Sequence, residues 1–172
     1  MIPEIKKILF TTDLSKDSRQ AFDYAVSLAD RYGASITMLH VIEEVSAATS
    51  TYVRDFLGDE RWEQIQENHE QEARQILIGK RREGTMIREA LGEFAEQAKA
   101  DLGQTKIAMD EIVVAHGNVV EEILQESQSR GCDLIVMGHH VRGRLEEAVL
   151  GSTTRRVLRR SAIPVLVVRL EK

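Results

Sequence analysis

The chain has 172 residues, 42% of them hydrophobic, and a formal net charge of -5, which suits one well-buried domain over residues 1–172 and is short for two. No apolar run reaches membrane-span length, and the opening MIPEIKKILFTTD carries charges where a secretory signal needs its apolar stretch, so a soluble, cytoplasmic protein with no membrane partner is expected. The acidic balance argues against a general nucleic-acid binder, and the single cysteine, Cys132, rules out an internal disulfide and a cysteine zinc cluster, leaving a buried, inert thiol.

In chain order, Ile5 to Thr12 (IKKILFTT) is a short β-rich run, and Asp13-Leu14-Ser15 is a turn in which Asp13 or Ser15 can cap a helix. Ala21, Phe22, Ala25, Leu28, Ala29 and Tyr32 then recur at three- and four-residue steps, an amphipathic helix that Gly33 ends. Ser35 to Ile42 (SITMLHVI) is a second strand, and the strand–helix–strand unit predicts a parallel pair.

Between Glu43 and Thr105 the chain is longer than one crossover helix needs, by about twenty residues. Trp62, Ile65, His69, Ala73, Ile76 and Leu77 mark one helical stripe; Ile87, Leu91, Phe94, Ala98 and Leu102 mark another, with a break at KRREG, 80–84. Such stripes usually cover a sheet, and the alternative is that the extra helix at 84–102 forms a partner surface. Ile107–Ala115 as a strand, Val119–Ser129 as a helix and Asp133–Met137 as a strand follow, then a helix over Ser152–Arg160 and a last strand over Pro164–Arg169. Five strands alternating with helices predict an α/β fold, a doubly wound five-stranded parallel sheet with helices on both faces and a long helical insertion between strands 2 and 3.

Charge is unevenly placed. Residues 142–172 hold eight Lys/Arg against three Asp/Glu, a local +5 that leaves -10 on the remainder, so a positive end on an acidic body can attract a small anion such as a nucleotide; the arginines of the last helix read equally as a solvated face. His139 and His140 are adjacent and lack a third ligand nearby, so they read as loop histidines bordering a pocket and no metal site is expected.

The pieces ILFTTDLSKDSRQAFDYAVSLA, GNVVEEILQES and DLIVMGHHVRGRLEEAVLGSTTRRVLRRSAIPVLVV together resemble the universal stress protein family, over the whole chain apart from its long middle segment. Nucleotide-binding members show Gly, two residues, Gly, nine residues, then Gly-Ser or Gly-Thr; here Gly138 and Gly151-Ser152 keep the spacing, and Val141 stands where the second glycine belongs. The resemblance implies that the first and fourth strands are neighbours, a switch point at which open α/β sheets bind ligands beyond the strands' carboxyl ends. It also implies the contacts. Thr12 and Asp13 lie against the nucleoside, Val41 touches the adenine, and Met137 and Gly138 border the ribose. His140, Val141 and Arg142 belong to the same loop, and Gly151, Ser152 and Thr153 face the phosphates from a helix N-terminus.

If position 141 needs a left-handed backbone, valine costs about 1–2 kcal/mol, roughly tenfold in affinity; if a phosphate approaches its Cα, the side chain blocks the site. Arg142 and Arg144 can offset part of such a loss as phosphate contacts. Neither a Walker lysine nor a positioned base accompanies Gly151-Ser152-Thr153, so efficient turnover is not expected, a slow ATPase being the most the sequence allows. Asp13 is not a receiver-type phosphoacceptor, because the third strand ends in Ala115-His116-Gly117 without the aspartate such domains phosphorylate. The function expected is a stress or signalling module that binds ATP, with or without Mg2+, forms a homodimer through the last strand at 164–169 and acts on an unidentified protein partner. The alternative is a non-nucleotide-binding interaction protein working through its dimer face and the helix at 84–102.

Overall fold

Hydrophobic runs at Lys7–Thr12 (β1), Ser35–Glu43 (β2), Ala108–Gly117 (β3), Leu134–His140 (β4) and Val165–Leu170 (β5) pair side by side in one sheet of order β3-β2-β1-β4-β5, every neighbouring pair parallel. The structure, a computed structural model, describes residues 3–15, 17–43, 84–101, 108–140 and 150–170. Among the described residues, helices Ser18–Tyr32 (α1), 84–101 (α2), Val119–Ser129 (α3) and Ser152–Arg160 (α4) accompany the sheet. Among the described residues no helix is long and apolar enough to cross a membrane.

Alternation along each strand builds two cores. Ile8, Phe10, Ile36, Met38, Leu134 and Val136 face α1 and α2, meeting Ala21, Phe22, Ala25, Leu91, Ala95 and Ala98. Leu9, Leu39, Ile135 and Met137 face the other way, against Val120 and Ile123 of α3 and Val157 of α4. In the stripe at Ile87, Leu91, Phe94 and Ala98, Leu91 and Ala98 are thus buried on the sheet and Ile87 and Phe94 half-buried against it, so this helix face covers it. The first stripe, from Trp62 to Leu77, the break at 80–83 and Leu102 lie outside the described residues. Cys132 is buried at the second core, and burial pushes its thiol pKa up, so it stays a thiol and an unreactive one.

Local chemistry sets the element ends. Gly33 stops α1 at φ 64, a left-handed cap that glycine adopts without a Cβ penalty. Asn118 caps α3, its side-chain oxygen accepting from the amides of Val120 and Glu121. Asp133 locks β4 to the start of β1: its Oδ2 accepts the backbone N–H of Lys6 at 2.8 Å and of Lys7 at 2.9 Å, and its own N–H donates to the Lys7 carbonyl. Removing a charged acceptor shared by two amides costs about 2–3 kcal/mol. Asp133→Ala is therefore expected to lower the unfolding free energy measured in urea by that amount, with Asp133→Asn, which keeps an oxygen, losing about half as much.

Two expectations change on contact with the structure. The fourth strand does not stop at Met137; Gly138, His139 and His140 continue it, because β5 keeps pairing alongside (Gly138 with Val168, His139 with Arg169, His140 with Leu170). His139 is therefore a buried strand residue rather than a loop residue. Gly138 also has a packing reason to lack a side chain: a Cβ there would sit 2.7 Å from Leu170 Cδ1.

Candidate functional site

Because β1 lies between β2 and β4, the chain leaves their carboxyl ends in opposite directions and a cleft opens there. It encloses about 440 Å³, a volume in the range of small-molecule sites. Its wall takes Thr11, Thr12 and Asp13 from the end of β1, Leu39, His40, Val41 and Glu43 from β2, and Met137 and Gly138 from β4. Val119 and Ile123 of α3, Ser18 of α1, Leu170 of β5 and the Thr153-Thr154 pair of α4 close it.

Six of the residues expected from the sequence meet in this cleft: Thr12, Asp13, Val41, Met137, Gly138 and Thr153. Gly151 and Ser152 are exposed and lie off its wall. The Gly151 amide is directed to His139 Nδ1 at 3.4 Å. His140 is placed only as the last backbone position of β4, and Val141 and Arg142 fall outside the described residues.

The turn after β1 is held by its own side chains. Asp13 Oδ1 accepts the Ser15 N–H at 3.0 Å and the Ser18 hydroxyl at 2.7 Å, and Thr12 Oγ1 accepts the Leu14 N–H at 3.0 Å. These bonds hold Leu14 at φ 63, a left-handed conformation that costs a non-glycine residue about 1–2 kcal/mol. Neither Asp13 nor Ser15 caps α1, whose cap position is Asp17 with no side-chain cap bond; Asp13 instead holds the turn that precedes the helix, one oxygen at least being engaged at the cleft's rim.

Opposite stands the N-terminus of α4. Gly151 occupies its cap position without a side chain to satisfy the first amides, the first turn carries no acidic residue, and Arg159 and Arg160 sit in the last turn. A helix end so built presents N–H donors and the positive end of its dipole to whatever fills the cleft beside Thr153 and Thr154. The helix is fixed in place by Val157 in the core and by Arg160, whose guanidinium binds both oxygens of Glu121 on α3 and holds that carboxyl below its usual range. His139, buried beneath Gly151, has no partner for Nε2 among the described residues.

Chemically the cleft suits a ligand with an anionic end and a flat, polar-edged body. Its side chains include, among the described residues, no lysine or arginine. Among the described residues no group of three or more His, Cys, Asp or Glu side chains converges as a metal site.

Comparison with known proteins supplies the kinship. The universal stress protein family pattern matches residues 4–169. Universal stress protein MJ0577 of Methanocaldococcus jannaschii is 30% identical over 164 residues, 95% of this chain and 94% of that protein, and universal stress protein YxiE of Bacillus subtilis is 32% identical over 168 residues, 95% and 98%. Among solved structures, MJ0577 superposes with a TM-score of 0.63 at 24% identity, covering 99% of both chains. A universal stress protein in complex with cAMP gives 0.59 at 18%, covering 98% and 100%, and one from Archaeoglobus fulgidus in complex with dAMP gives 0.50 at 13%, covering 94% and 96%.

Proposed function

The chain belongs to the universal stress protein family, and from that premise we propose that it is a stress-response or signalling module that binds ATP or a related adenine nucleotide in the cleft between β1 and β4. The observation that carries the reading is the uncapped N-terminus of α4, with Thr153 and Thr154 on the wall of a cleft of nucleoside size. Thr12, Asp13 and Val41 then face the nucleoside, Met137 and Gly138 the ribose, and the Ser152–Thr154 amides the phosphates. Relatives of the same fold that hold cAMP and dAMP support an adenine ligand. Occupancy, rather than turnover, is the output this reading assigns: among the described residues the wall offers no lysine to a leaving phosphate, and the Asp13 carboxylate is engaged in holding its own turn.

Among the described residues β5 pairs on one side only, with β4, and its open edge is the natural seat of a second copy of the chain, giving a cytoplasmic homodimer whose occupancy a protein partner reads. The competing reading, an interaction protein without nucleotide, rests on Val141 in place of a glycine.

The test is to denature the purified protein, chromatograph the supernatant for adenine nucleotides, and titrate ATP by calorimetry into wild type and Val141→Gly. Carried-over nucleotide, or saturable heat with wild type that tightens about tenfold in the glycine variant, is expected. No nucleotide and no heat with wild type, with binding appearing only in Val141→Gly, favours the interaction protein. Phosphate release that Asp13→Ala abolishes makes the protein a slow hydrolase instead.

A further inference from the structure

The order of the strands sorts the cleft into three zones, β2 at one end, β1 in the middle, and β4 with the start of α4 at the other. Adjacent strands lie about 4.8 Å apart, so the end of β2 stands about 10 Å from that of β4. A nucleotide whose phosphates sit on α4 therefore delivers its base to β2, the strand that contributes His40, Val41 and Glu43 to the wall.

His40 is half-buried there, and its Nδ1 lies 2.9 Å from the carbonyl oxygen of Thr12. A carbonyl only accepts, so Nδ1 carries the proton and donates it. That bond selects the tautomer in which Nε2 is the hydrogen-bond acceptor, with no partner for it among the described residues. The neighbouring Glu43 carboxylate is also an acceptor. This end of the cleft thus asks for a donor, whereas the α4 end supplies donors.

We propose that His40 Nε2 determines base specificity by accepting a hydrogen bond from an exocyclic amino group, selecting 6-aminopurine nucleotides over 6-oxopurine ones, whose carbonyl oxygen would face a lone pair. The inference rests on the nucleotide reading above and adds to it the residue that reads the base.

ITP is the discriminating probe, since it carries oxygen for the amino group at position 6, with the proton moved to N1. Calorimetry on wild type is expected to show ATP binding about tenfold tighter than ITP. In His40→Phe the two affinities should converge through a loss for ATP, and in His40→Gln, which keeps a donor for Thr12 and an oxygen acceptor, a preference should persist. A ring-15N NMR spectrum of wild type reads the same bond without a substitution: the Nε2 signal shifts with ATP and stays with ITP. Equal affinities in wild type, an unchanged ratio in His40→Phe, or an Nε2 signal that ATP leaves in place overturns the role of His40 while the nucleotide reading stands. Failure of wild type to bind either nucleotide removes the nucleotide reading itself.

Discussion

Thr153→Glu is expected to weaken ATP binding by at least about 100-fold while leaving the protein as stable as wild type or slightly more so. Thr153 is a first-turn residue of α4 that lines the cleft, so the new carboxylate stands where the phosphates are placed. Two unit charges 4 Å apart repel by about 4 kcal/mol at an effective dielectric near 20, which corresponds to two to three decades of affinity. The same carboxylate, at a helix N-terminus whose first turn holds no acid, gains about 0.3–1 kcal/mol from the dipole. Binding and stability therefore move in opposite directions, which separates a site effect from misfolding. Leu158→Glu is the positional control: exposed near the other end of α4 and off the cleft wall, it adds the same charge and should lose much less affinity, with the loss shrinking as salt is raised. Calorimetry and thermal melts of the two variants check this, and equal losses at the two positions would place the phosphates elsewhere.

How far the sequence reveals this protein depends on the range of the interactions that decide each feature. Runs such as ILFTT, SITMLHVI and PVLVV are apolar on both faces because helices cover both faces of the sheet, so five parallel strands were legible. The bounds of α3 and α4 were legible too, Asn118 and Gly151 marking their starts. The end of β4 was not: Gly-His-His is loop-like in composition, and only the neighbouring strand β5 extends it through His140. The site divides in the same way. Thr12, Asp13, Val41, Met137, Gly138 and Thr153 were reached through the family motif. His40, Glu43, Ile123, Thr154 and Leu170 were not, because what brings them to one cleft is strand order, which joins positions up to 130 residues apart and leaves no local pattern. Gly138 shows the converse. Its place in a phosphate motif suggested a backbone role, yet Leu170 already fills the space a Cβ would need.

The second large effect concerns the helix between β2 and β3. Phe22 of α1 is 1% exposed and joins three elements: its ring centroid is 5.0 Å from that of Phe10 in β1 and 5.2 Å from that of Phe94 in α2, with tilted planes at both contacts. Arg19 closes the same corner, its guanidinium 5.7 Å over the Phe94 ring and paired with Asp23 at 2.9 Å and with Asp101, at the far end of α2, at 3.0 Å. Phe22→Ala is expected to cost about 3–5 kcal/mol by chemical denaturation, the range for truncating a buried aromatic. Phe94→Ala, half-buried at the periphery, should cost about 2 kcal/mol, and the double variant less than the sum, since each change removes the same ring contact. If α2 covers the sheet, the stability loss from Phe94→Ala comes with faster amide exchange in both α1 and α2. If α2 were instead a partner surface resting loosely on the domain, Phe94→Ala would leave global stability unchanged and raise exchange in α2 alone. The buried Leu91, Ala95 and Ala98 favour the first outcome, in which α2 is part of the domain's own core.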